Sequence, residues 1–178
     1  MSEMYDQIVS QRGSFEKLLA RIPGFRGYIE KATRRTADRM VRDYVAEVLT
    51  QKINRLAALE VSLLDADGGL QYMSETRSAK DKLQTFRDRV RAAAPGYSGF
   101  MDAVKVDEEA LDRLYNFDEA QIRYADQFDN ALNVLEVAIN SGQGVNEAIR
   151  ALDLLTREAN EAFGMREDVL TDISKSVQ

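Results

Sequence analysis

The sequence predicts an all-α protein: an up-down four-helix-type bundle made of two long helical hairpins, with an extra N-terminal helix and room for a short C-terminal helix. Three observations carry this. Only two prolines and ten glycines punctuate 178 residues, and strong helix formers (Ala, Leu, Glu, Arg, Gln) dominate the remainder. Apolar residues recur at helical spacing over long stretches, and no alternating β-branched run competes for a strand. Glycine or proline pairs fall between those stretches, where turns are required.

The first segment, over 3–21, spaces Tyr5, Ile8, Phe15 and Leu18 along one face and stops at Pro23-Gly24. It would flank the bundle. The second, over 28–64, places Val41, Val45, Val48, Leu56, Leu59 and Leu63 on one face and stops at Gly68-Gly69. The third, over 70–94, carries Thr76, Ala79, Leu83, Phe86 and Val90 on a narrower stripe before Pro95-Gly96. Asp107 is the expected N-cap of the fourth, with Glu108 and Glu109 suited to the positive end of the helix dipole. That segment runs to about Asn140 through Leu111, Ile122, Ala125, Phe128 and Leu132. After Ser141-Gly142-Gln143-Gly144, a fifth segment reaches Gly164 through Val145, Ala148, Ile149, Leu152, Leu155 and Phe163. Met165, Val169, Ile173 and Val177 then define an amphipathic tail over 165–178.

Short connections make consecutive helices antiparallel neighbours, and four amphipathic helices bury their stripes best against one another. The expected organisation is therefore one helical domain over 1–178, with hairpins over 28–94 and 107–164 and an N-terminal flank over 1–24. The two hairpins also differ in charge. Residues 1–94 hold 17 basic and 13 acidic side chains, a net of +4, whereas residues 95–178 hold 7 and 17, a net of −10. The halves should attract each other.

Composition excludes much chemistry. With no cysteine and no histidine, there are no disulfides, thiolate metal sites, cysteine nucleophiles or histidine general bases. No apolar run approaches the roughly 20 residues needed to cross a bilayer, and Met1 to Ser10 lack the apolar centre of a secretory signal. A cytoplasmic protein is the expectation, and the absence of low-complexity sequence suggests a bacterial one.

Polar residues on apolar faces are the sharpest anomaly. Lys52 and Arg55 fall within about 60° of Val48 and Leu59 on the second segment. Asp118 and Asp129 sit among Leu111, Ile122 and Ala125 on the fourth. Unpaired burial of any of them would cost several kcal/mol, so cross-bundle ion pairs are expected. The two aspartates lie roughly 16 Å apart along a helix, too far to share one metal ion. A carboxylate-only divalent-metal enzyme would need ligands from other helices, and it is the least favoured reading.

A basic stripe runs over 26–42. Lys31, Arg34, Arg35, Arg39 and Arg42 offer a docking surface for phosphates, anionic lipid headgroups or an acidic partner, against the plainer reading of a solvated face paired at i,i+4. The connector bearing Tyr97, Phe100 and Met101 is a third candidate, its aromatics either plugging the bundle or meeting a partner. Gly96-Tyr97-Ser98-Gly99 has neither phosphate-loop nor nucleophile-elbow spacing.

These residues assemble no catalytic set, cofactor motif or metal-ligand cluster, so no cofactor is expected. The favoured reading is a non-enzymatic interaction or scaffold protein with a protein partner or a second copy of itself. The alternative is a peripheral adaptor that binds an anionic membrane surface through the basic stripe. Nucleic acid is not expected, because the chain is acidic overall and no aromatics interleave with the stripe.

Overall fold

The computed structural model describes residues 34–65, 68–93 and 108–175, with side chains described for 39–65, 68–93, 117–168 and 171. The segment expected over 3–21, Asp107 and the connector over 95–101 lie outside the described residues. Among the described residues there are four α-helices and no strand: α1 (Arg34–Leu64), α2 (Met73–Ala92), α3 (Glu108–Ser141) and α4 (Val145–Lys175). A 3₁₀ turn (Gly69–Tyr72) joins α1 to α2.

Glycine shapes both hairpin turns. Gly68 has φ 72°, a left-handed backbone that side chains resist. A Cβ on Gly69 would lie 1.5 Å from the Leu63 carbonyl oxygen, so only glycine allows the chain to fold back onto the last turn of α1. At the other hairpin, Gln143 N–H donates to Ala138 C=O at 3.2 Å and Gly142 N–H to Ile139 C=O at 3.3 Å. With Gly142 at φ 68°, these are the paired bonds of a Schellman cap. Gly144, at φ 73°, then leads into α4.

Gly164 does not end the last helix. Without a positive φ, it sits inside α4, which continues as one helix to Lys175. A glycine in a helix interior costs only about 1 kcal/mol, which packing on both sides readily offsets. Met165 is partly buried against the core and Arg166 is buried, so the start of the expected tail is the last part of α4 docked on the bundle.

The four stripes meet in one core. It includes Val45, Leu49 and Leu56 from α1, Leu83 and Phe86 from α2, Phe128 and Leu132 from α3, and Ile149, Leu152 and Phe163 from α4. Phe86 is its centre. Its ring lies 6.4 Å from Tyr124, 6.2 Å from Phe128 and 6.4 Å from Phe163, within the range favourable for tilted and edge-to-face pairs.

Helix neighbours are α1 with α2, α3 with α4, α2 with α4 and α1 with α3. Within each hairpin the helices are antiparallel. Between hairpins they are parallel: residues 52 and 55 of α1 meet 129 and 136 of α3, and residues 82 and 89 of α2 meet 153 and 167 of α4. The end of α2 and the start of α3 therefore stand at diagonally opposite corners. Both glycine turns share one end of the bundle.

Candidate functional site

Two polar seams join the hairpins, and the ion pairs that cross them run from cations of the first hairpin to carboxylates of the second. On the α1–α3 seam, Lys52 Nζ lies 2.6 Å and Arg55 Nη1 3.3 Å from Asp129 Oδ1. Arg55 Nη2 also reaches Glu136 and, at 2.7 Å, Asn133 Oδ1. The hydrogen bond from Lys52 holds the Asp129 carboxyl below the usual carboxylate range, against a smaller opposing effect of burial and with further help from Arg55. Three of the four anomalous polar residues are thus brought together. The charge asymmetry of the sequence is the source of this pattern.

Asp118 lies elsewhere. It is buried and accepts a hydrogen bond from Arg166 Nε of α4 at 3.1 Å and one from Gln121 at 3.2 Å. Arg166 was not singled out from the sequence, although a signal was there: it falls three residues after Phe163 and seven after Ala159, on the apolar stripe of α4. Asp118 and Asp129 are each held by cations. Among the described residues, no group of three or more acidic side chains is placed to hold a metal ion.

Of the five residues of the basic stripe, side chains are described for Arg39 and Arg42, and these two face different ways. Arg42 is 6% exposed and donates to the Ala93 carbonyl beyond the end of α2, so it faces inward. Arg39 faces solvent, with Nε 3.7 Å from Asp43 one turn on. Arg34 and Arg35 belong to the first turn of α1, but their side chains lie outside the described residues, as do Lys31, Tyr97, Phe100 and Met101.

The α2–α4 seam opens into a groove of 540 Å³ near the glycine-turn end, lined by Ser74, Glu75, Ser78 and Lys82 on α2 and by Ile149, Arg150, Asp153 and Arg157 on α4. Helical spacing explains both walls: 74, 78 and 82 stack at i,i+4, and 150, 153 and 157 at i,i+3 and i,i+7. Asp153 accepts from Lys82 and, at 2.6 Å, from Arg157. Burial pushes its carboxyl up, but these two bonds outweigh it and hold the group below the usual range. Lower on the seam, Arg89 reaches Glu167 at 2.7 Å and the Asn160 carbonyl at 2.8 Å, with its guanidinium 4.7 Å from the centre of the Phe163 ring.

Among the described side chains, six large apolar ones are left in water. Val61, Leu64 and Leu70 surround the first glycine turn, and Val134, Val137 and Leu154 lie on α3 and α4 within about three turns of the second. All six are in the half of the bundle that carries the glycine turns.

Fold and seams together define a four-helix bundle of charge-paired hairpins. Compared with known families, curated proteins and solved structures, the chain matches none of them. No helix among the described residues is long and apolar enough to cross a membrane.

Proposed function

We propose that this protein is a non-enzymatic interaction module that engages a protein partner through the half of the bundle carrying the glycine turns. One observation supports the reading: the six exposed large apolar side chains among the described residues lie in that half. Single surface leucines and valines are ordinary. Several of them in the same half support a protein-interaction surface there.

The two other readings draw less support. An anionic-membrane adaptor needs an outward basic stripe, and of its described side chains only Arg39 faces solvent. A carboxylate-metal enzyme needs free acidic ligands, whereas Asp118 and Asp129 are engaged by cations. A cytoplasmic, bacterial setting belongs to the same proposal.

Affinity capture tests it with the full chain and a Leu70→Asp, Val137→Asp, Leu154→Asp variant. Those positions are exposed, so the fold is retained, as far-ultraviolet circular dichroism would check. A discrete partner held by the wild-type chain and lost by the variant is the expected result. Equal capture by both, or capture of nothing by either, overturns it.

A further inference from the structure

The groove between α2 and α4 carries an inference independent of the apolar half of the bundle. Its walls present three cations, Lys82, Arg150 and Arg157, against two carboxylates, Glu75 and Asp153. Asp153 is already shared by Lys82 and Arg157. Arg150 is exposed and forms no ion pair or side-chain hydrogen bond among the described residues, and the same is true of Glu75. The surplus is one positive charge. Because α2 and α4 are parallel, both also begin at this end of the groove, and each N-terminus is equivalent to roughly half a positive charge.

The donors suit a particular anion. Ser78 Oγ accepts from Lys82 Nζ at 3.0 Å, which leaves its hydroxyl hydrogen free to donate into the groove. Ser74 sits one turn above it on the same wall. The two hydroxyls, the Arg150 guanidinium and the N–H groups of Lys82 and Arg157 not taken by Asp153 or Ser78 exceed what the two oxygens of a carboxylate can accept, but they match the three terminal oxygens of a phosphate. Ile149 supplies a buried apolar surface, and Glu75 can accept from a ligand hydroxyl or amine. The volume of 540 Å³ lies within the range of small-molecule sites. We propose that this groove binds a small organic phosphate, with the phosphate against Arg150, Arg157 and the Ser74–Ser78 hydroxyls and a polar substituent directed at Glu75.

Isothermal titration calorimetry at constant ionic strength tests this with glycerol 3-phosphate, ribose 5-phosphate and inorganic phosphate, using sulfate as the ionic control. The expected result is saturable one-site binding of an organic phosphate, tighter than inorganic phosphate or sulfate. Arg150→Ala combined with Ser78→Ala should weaken it at least about tenfold, since each change removes a bond to a charged group. Both positions are exposed, so folding is preserved, and Arg39→Ala at the opposite end should leave binding unchanged. The proposal is overturned if no organic phosphate binds saturably up to about 10 mM, if sulfate binds equally well, or if the double variant binds like the wild type.

Discussion

Arg166 of α4 donates from Nε to Asp118 Oδ1 of α3 at 3.1 Å, and the two side chains are only 1% and 6% exposed. Removing one member of such a pair takes a partner from a buried charge, at a cost of about 3–5 kcal/mol. Asp118→Ala should therefore lower the melting temperature by about 10 °C. Asp118→Leu with Arg166→Met should recover most of that loss, because two apolar groups need no partner. Thermal denaturation followed by circular dichroism distinguishes this from a double variant as unstable as the single one.

The α1–α3 seam should behave differently. Asp129 is 45% exposed and Arg55 30%, so water and salt screen the cluster. Asp129→Asn should cost no more than about 1 kcal/mol, and chemical denaturation in about 1 M salt should shrink the difference further. A loss as large as that of Asp118→Ala would contradict this account of the seam.

Two kinds of carboxylate give opposite pH responses. Asp129 and Asp153 are held below the usual range, so their contribution is present above the ordinary carboxylate pKa and disappears as pH falls through their lowered values. Glu158 is pushed up by burial and by the neighbouring Glu161. Its contribution is favourable below the ordinary pKa and is lost as pH rises through the raised one. Glu158→Gln should therefore raise the melting temperature at pH 7 by about 1–2 °C, and the gain should vanish under acid conditions. Asp153→Asn should instead lower stability at neutral pH and flatten the acid limb of the melting profile.

The hairpin turns separate space from conformation. A Cβ on Gly69 would collide with the Leu63 carbonyl at 1.5 Å, whereas one on Gly142 meets nothing within 4 Å and faces only the strain of φ 68°. Gly142→Ala should cost about 1–2 kcal/mol, and Gly69→Ala should cost more. Urea denaturation of the two variants gives the order directly.

Much of the fold was legible because its signals are local. Helical spacing and glycine pairs are written along the chain, and the opposite charges of the hairpins anticipated their docking. Gly164 misled, because a glycine marks a helix end only when the backbone needs a left-handed residue, and here the helix packs on either side of it. The partner of Asp118 was missed for another reason: Arg166 is 48 residues away, and the pairing depends on which helices are neighbours. Arg42 looked like part of a surface stripe because its inward turn depends on the Ala93 carbonyl, which only tertiary packing brings near. The α2–α4 groove was invisible for the same reason, since its two walls come from different hairpins.

Site-specific photocrosslinking tests the interaction reading most directly. A photoreactive phenylalanine analogue placed at Leu70 or Val137, in the apolar half, is compared in cell extract with the same probe at Arg39 or Asp126, which are also exposed. The account predicts a discrete protein adduct from positions 70 and 137 and none from 39 and 126. Adducts of equal yield from all four positions, or none from 70 and 137, would contradict it.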